Sequence, residues 1–307
     1  MHVDNRCDFL LAVGSGVVND LTKMTGLCSG LKTGVVGTAP SMDGYASNSS
    51  SMEVNNVKST IYNKAPSVII CDTEIMARAP MRMLWAGFGD MLAKYIAICE
   101  WRIAHIVNGD PYCEKIACLV RRSLEKVVSS ADRLADRDPE VVGSVADGLI
   151  LSGIAMCFAT TSRPASGLEH YFSHMWEMMA LERGEESDLH GIQVGVGCYL
   201  TFKLYEQIRK IKPDREKALD FMRHFDEEKW ERETRRVFGS VAENIIATAK
   251  KEGRNDPVKH AERVNRIVDH WDEILKIMDE ELPPFKTIVD IMTGCGMPMR
   301  PKDLGIN

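Results

Sequence analysis

The chain has 307 residues, with 38 Lys and Arg against 44 Asp and Glu, a net charge of −6. Hydrophobic residues make up 45% and charged residues 27%, the balance of a globular chain long enough to bury a full core and to divide into two domains. The mild acidity excludes a chain-wide nucleic-acid footprint, and it excludes a disordered or polybasic membrane-surface protein.

The amino terminus, MHVDNRCD, carries Asp4 and Asp8 where an export signal has a basic region followed by an apolar one, so no export is expected. Phe9 to Val13 is a short apolar run that suits a buried parallel strand. It ends in Gly14-Ser15-Gly16, and Val17 to Met24 reads as the first turns of a helix. Gly34 to Gly37 is a second strand, ending in Thr38-Ala39-Pro40-Ser41. The SNSSS cluster at 47–51 reads as a loop. Ser67 to Cys71 is a third strand, ending in Asp72. Strands alternating with helices predict a parallel sheet with ligands at the carboxyl ends of its strands.

Beyond about residue 75 the apolar period is helical. It predicts helices over 81–107, 112–134, 140–159, 168–181, 191–211, 214–224, 231–251, 257–278 and 284–292. Pro80, Pro111, Pro164 and Pro213 stand at breaks or first turns. The longest apolar stretch, Gly148 to Ala159, is too short to cross a bilayer and reads as a buried helix. The nine cysteines form no C-x-x-C pair and mostly sit in apolar runs, so they read as reduced core thiols.

Four stretches carry chemistry. A glycine turn between strand and helix lets a phosphate approach the backbone and the free N–H groups of the helix start, and Gly14-Ser15-Gly16 fits, although such turns are also common without a ligand. The turn Thr38 to Ser47 gathers hydroxyls and the Asp43 carboxylate where a parallel sheet presents ligands, or is an ordinary capped turn. Asp90, in GFGDMLAK, lies among apolar residues, where a carboxylate needs a partner, a cap or a metal. His170 and His174 lie four apart on one helical face, and His190 follows an acidic loop. His and Asp together suit Zn²⁺, Fe²⁺ or Ni²⁺. The ordinary alternatives are a structural histidine pair and a capping or solvated His190. Arg163, just before the pair, suits a substrate phosphate or a surface role.

Together, GSGVVNDLTK, TAPSMDGYAS, GFGDMLAK, SRPASGLEHYFSHMWE and LHGIQVGVG resemble the glycerol-1-phosphate dehydrogenases, most nearly their bacterial branch. These belong to the superfamily of iron-containing alcohol dehydrogenases and dehydroquinate synthases. The resemblance implies that Gly14, Ser15, Gly16, Val17, Val18, Asn19 and Asp20 hold an NAD(P) pyrophosphate, with Thr38, Ser41 and Ser47 on the same cofactor. The family's commoner turn is a run of glycines, from which Ser15 and Val17 depart. It further implies that Asp90, His170 and His190 bind one divalent metal (Zn, Ni or Fe). Asp43, Asp90, His174 and Arg163 then face the substrate, and Asp90 and His174 are catalytic.

The implied reaction is hydride transfer at C2 between dihydroxyacetone phosphate and sn-glycerol 1-phosphate, with the carbonyl polarised by the metal and a proton supplied through His174 or water. The implied fold class is α/β plus all-α. A Rossmann-like parallel-sheet domain over 1–74, lacking its earlier strand–helix units, precedes a helical metal- and substrate-binding domain over 75–307. The implied setting is the cytoplasm, with no nucleic acid, no membrane insertion, and a homodimer favoured by open sheet edges. Two other readings stand beside it: a dehydrogenase of an unphosphorylated polyol such as glycerol, and a non-catalytic metal-binding remnant. Dehydroquinate synthase chemistry fits less well.

Overall fold

The computed structural model describes residues 6–54 and 57–306. The reading of an absent export signal rests partly on Asp4, which lies outside them. Three parallel strands, β1 (Phe9–Gly14), β2 (Lys32–Gly37) and β5 (Val68–Cys71), form a sheet in the order β1-β2-β5. Helix α1 (Gly16–Ser29) connects the first two and returns across one face, packing Gly26 against Thr33. Ala12 and Val35, with Tyr45 from the following turn, form a small core on that side. On the other face Phe9, Leu11, Val13, Val68 and Ile70 are exposed, Val13 by 61%. A parallel sheet is ordinarily covered on both faces, and this one has a bare apolar face.

The SNSSS stretch departs from the loop expectation. Ser49–Val54 is strand β3, paired antiparallel with β4 (Val57–Tyr62) in a hairpin. Polar residues form this strand because α1 supplies partners: the Ser51 amide donates to Asp20 Oδ2 at 3.1 Å, and Ser50 Oγ to the Asp20 carbonyl at 3.2 Å.

From Thr73 onward the described chain is helical: α2 (Thr73–Ala77), α3 (Met81–Asn108), α4 (Glu114–Val128), α5 (Pro139–Ala159), α6 (Leu168–Arg183), α7 (His190–Ile208), α8 (Arg215–Arg223), α9 (Glu227–Phe238), α10 (Ala242–Glu252), α11 (Pro257–Asp269), α12 (Trp271–Glu281) and α13 (Phe285–Gly294). Three predicted helices are shorter or divided. The 112–134 segment ends as α4 at Val128, with a separate 3-10 turn Ala131–Leu134. The 231–251 segment breaks at Gly239 into α9 and α10, and the 257–278 segment breaks at His270 into α11 and α12. In each case the apolar period runs on across the break, which periodicity alone does not register.

Helix α3 is the spine. Leu84, Phe88, Met91, Leu92 and Ile96 pack with Val141, Val145 and Leu149 of α5 and with Val194, Cys198 and Phe202 of α7 in one buried cluster. By length and composition α5, at 21 residues, could cross a membrane; 56% of its most apolar window is buried inside this fold. All nine cysteines are free thiols, but only Cys99, Cys198 and Cys295 are buried, and Cys7 and Cys28 are exposed rather than in the core.

The α3–α7 crossing positions the site. A side-chain carbon on Gly191 would lie 2.0 Å from the Ala86 carbonyl oxygen, and one on Gly89 would lie 2.2 Å from the Gly191 carbonyl oxygen. Only glycine permits backbones this close, and the contact brings the first turn of α7 against the middle of α3.

Candidate metal centre

Asp90 projects from the middle of α3, His170 from the first turn of α6, and His190 is the first residue of α7. Their potential ligand atoms all lie within 4.8 Å of one another, the one such group of three among the described residues. His170 Nε2 is 3.5 Å from Asp90 Oδ1, and the His170 and His190 rings are 5.3 Å apart. Asp90 and His170 are buried, while His190 stands at the cleft edge.

Two buried glutamates orient the imidazoles. His170 Nδ1 lies 2.7 Å from Glu169 Oε1, which also accepts the Gly167 amide at 2.7 Å. His190 Nδ1 lies 2.8 Å from Glu177 Oε1 and 3.0 Å from Ser173 Oγ. An ionised carboxylate can only accept, so each Nδ1 carries the proton and each Nε2 is left for the cluster.

Asp90 divides its two oxygens. Oδ2 accepts the Asp43 amide at 2.9 Å, whereas Oδ1 is buried with no hydrogen-bond partner. Such an orphaned anionic oxygen is costly. Burial opposes the charge of Asp90, but Lys94 and then His170 outweigh it and hold the carboxyl well below its usual range. The same pairing acts on His170. Burial disfavours its cation, and the hydrogen bonds to Asp90 and Glu169 overcome that, pushing it up to about 9. Lys94 at 3.7 Å and His170 at 3.5 Å compensate the charge of Oδ1 without a close hydrogen bond to it. One carboxylate and two imidazoles form a three-ligand set that fits a divalent cation with an open position.

A cleft of about 1060 Å³ opens over this cluster. Ser15, Gly16, Val17, Val18, Asp20, Ser41, Asp43 and Ser47 line it on the sheet side, and Arg163, His170, His174 and His190 on the helical side. Of the sequence candidates, Gly14, Asn19, Thr38 and Asp90 are not in this lining. Asn19 is buried and reaches the Gly44 carbonyl at 3.4 Å, and the Thr38 amide donates to the Gly14 carbonyl at 3.0 Å. Ser15 does not cap α1; its hydroxyl is 2.5 Å from Ser41 Oγ. His174 stacks on His190 at 5.6 Å and stands outside the three-residue group. Arg163 is paired with Asp110 at 2.6 Å on the cleft wall.

Sequence reasoning missed four groups here. Lys94, fully buried one turn after Asp90, lies 2.7 Å from Asp43 Oδ2 and 3.7 Å from Asp90 Oδ1. Its four-residue spacing from Asp90 was the available signal. Glu169 and Glu177 sit within LEHYFSHMWE, beside and seven residues beyond His170. Glu100 also lines the cleft, taking Tyr205 Oη at 3.0 Å and the Leu168 amide at 3.1 Å. Burial, followed by the negative charge of Glu169, pushes its carboxyl up to about 7.

The family model described as iron-containing alcohol dehydrogenase matches residues 1–80. Over 208 residues the chain is 36% identical to the glycerol-1-phosphate dehydrogenase [NAD(P)+] of Geobacillus thermodenitrificans, covering 68% of this chain and 52% of that one. Over 216 residues it is 36% identical to the protein of that name from Pyrococcus furiosus, covering 70% and 61%. Over about two thirds of its own length the chain is similar to these enzymes, and its first 80 residues match the iron-containing alcohol dehydrogenase model. It spans about half the length of the curated relatives it matches. Among solved structures, a probable glycerol dehydrogenase from Sinorhizobium meliloti aligns with a TM-score of 0.59 at 16% identity, covering 98% of this chain and 65% of that one. The iron-containing alcohol dehydrogenase from Corynebacterium glutamicum aligns with a TM-score of 0.55 at 15% identity, covering 99% and 64%. At these identities the likeness is one of fold: a parallel sheet followed by a helical region, as the family resemblance implies.

Proposed function

We propose that the chain acts as a metal-dependent, NAD(P)-dependent glycerol-1-phosphate dehydrogenase, interconverting dihydroxyacetone phosphate and sn-glycerol 1-phosphate. The observation that carries the reading is the orphaned Oδ1 of Asp90, facing two oriented imidazoles beneath a cleft that also reaches the start of α1. Asp90, His170 and His190 would hold the divalent cation. When bound, the cation supplies Lewis acidity at a carbonyl oxygen, and the nicotinamide supplies hydride.

The protein's own part is placement. Residues 1–74 serve as part of a dinucleotide-binding domain, and 75–307 carry the metal and substrate. The first turn of α1, with Ser15, Gly16, Ser41 and Ser47 beside it, offers N–H and hydroxyl groups to a pyrophosphate. Asp43 orients a substrate hydroxyl. His174, stacked against His190, holds or delivers the proton at the C2 oxygen. Arg163, released from Asp110, takes the phosphate. The bare apolar face of the sheet supports a homodimer, and the chain is read as working in the cytoplasm.

The test is oxidation of NADPH and NADH by the full chain with dihydroxyacetone phosphate, after loading with Zn²⁺, Ni²⁺ or Fe²⁺. Glycerol and glycerol 1-phosphate are compared with NAD(P)+ in the reverse direction. Turnover on the phosphorylated pair that disappears in His190→Ala is expected. Turnover on glycerol alone would make it a polyol dehydrogenase. A folded, metal-loaded chain with no saturable NAD(P)H binding would overturn the enzymatic reading.

A further inference from the structure

Two lysines are almost completely buried, Lys23 on α1 and Lys94 on α3, and neither lines the cleft. Both end on the turn that joins the two sides of it. Lys23 Nζ donates to the Gly44 carbonyl at 2.9 Å, to Ser47 Oγ at 3.3 Å and to the Ser49 carbonyl, and is paired with Asp20 at 3.0 Å. Lys94 Nζ holds Asp43 Oδ2 at 2.7 Å and donates to the carbonyl of buried Ala165 at 3.1 Å. Ser152 Oγ of α5 donates to the same Asp43 oxygen at 2.9 Å, and the Asp43 amide donates to Asp90. Taking a charged group out of water is costly, and an apolar side chain of similar size would fill either space at less cost. What an ammonium adds is three directed donors: Lys23 directs its bonds mainly to the turn, and Lys94 ties the turn, through Asp43, to the Ala165 backbone.

We propose that Lys23 and Lys94 are paired positioning residues that clamp the 43–49 turn from α1 and from α3, holding the glycine-turn side of the cleft in register with the Asp90–His170–His190 cluster. The role of Lys94 rests on the reading of that cluster as a metal site. Without Lys94, the Asp43 and Asp90 carboxylates face each other uncompensated, and the turn is driven off Asp90. Without Lys23, the far end of the turn loses its anchors while Asp43 stays tied to Asp90.

Two measurements on the full chain test this: Co²⁺ affinity by competition with a chelating dye, with the cobalt absorption spectrum, and hydrogen–deuterium exchange of the 41–52 segment in metal-free protein. Lys94→Met should bind Co²⁺ at least tenfold more weakly, shift the cobalt spectrum, and exchange the segment at least tenfold faster, with α3 and α7 unchanged. Lys23→Met should speed exchange of the same segment while leaving Co²⁺ affinity within about threefold. A lysine that merely neutralises charge predicts the opposite sign, because removing a cation 3.7 Å from Asp90 Oδ1 tightens metal binding. Tighter or unchanged Co²⁺ binding in Lys94→Met, or unchanged exchange in both variants, overturns the clamp. Should Lys94→Met fail to fold, Ser152→Ala loosens the same turn without touching either lysine; faster exchange with two- to fivefold weaker Co²⁺ binding is expected, and no change in either overturns the proposal. A wild-type chain that takes up no Co²⁺ overturns the metal reading, while the exchange measurements still decide the clamp.

Discussion

The strand region and the helical region solve burial in different ways. In the helical region α3 is enclosed by α5 and α7, and its apolar side chains share one continuous core with theirs. The three-stranded sheet is covered on one face only, by α1 and Tyr45, and leaves Leu11, Val13 and Ile70 at least half exposed on the other. The metal cluster belongs wholly to the enclosed part, since Asp90, His170 and His190 come from α3, α6 and α7. The glycine turn belongs to the half-covered part. The proposed metal site and the proposed dinucleotide turn therefore rest on supports of unequal completeness, with the 43–49 turn between them.

The strongest way to break the comparison is to remove the cluster. Asp90→Asn should weaken Co²⁺ or Zn²⁺ binding by more than 100-fold in a dye-competition titration, while the sheet keeps its structure. Conversely, saturating Zn²⁺ should raise the melting temperature of the wild-type chain by about 5 °C, since a ligand at 100 times its Kd adds about 2.7 kcal/mol. Equal melting with and without metal would show that the cluster does not couple to the helical core.

Next in size is the helix crossing. Gly191→Ala puts a carbon where the Ala86 carbonyl stands and should cost about 3 kcal/mol by denaturant titration. It should also weaken metal binding, because His190 moves with α7.

Glu100 sharpens the contrast through pH. A carboxyl at about 7 in the folded chain and near 4.5 unfolded binds its proton more tightly when folded. Stability is fully present below pH 4.5 and falls as pH rises through 7, by about 3 kcal/mol at most. Glu100→Gln should therefore stabilise the chain at pH 8.5 by about 2 kcal/mol and change it little at pH 4.5. A pH-independent effect would show that Glu100 shares no proton with its surroundings.

The smallest effect belongs to the bare face. Leu11→Lys and Val13→Lys, both exposed, should change folding stability by no more than about 0.5 kcal/mol. They should lower binding of a hydrophobic dye and weaken self-association in sedimentation velocity. A large loss of stability would show that this face is covered in solution.

Much of this was legible in the residues. Short apolar runs mark β1, β2 and β5 as strands, although in β1 and β5 the apolar residues of one face are exposed rather than buried as expected. Pro80 marks the start of α3, and the α5 and α6 segments carry a helical period. Asp90, His170, His174 and His190 stood out as candidates because an acid in an apolar helix and histidines one turn apart demand partners. The hairpin β3–β4 was hidden, because its serines are strand-forming only beside Asp20 of α1. Glu169 and Glu177 were hidden because nothing in their spacing distinguishes a buried partner from a solvated charge, and the i,i+4 spacing of Lys94 from Asp90 fits a surface ion pair as well as a buried one.

By itself, then, the sequence determined the local elements and the side chains able to ligate, since periodicity, turn residues and donor chemistry are properties of short segments. Spacing left open which histidine stands with Asp90; the family resemblance implied His190, and the tertiary structure groups it with Asp90 and His170. His174 shares a helical face with His170, yet His190 completes the group because Gly89 and Gly191 let α7 meet α3 backbone to backbone. That contact joins residues about a hundred positions apart, and no local pattern encodes it.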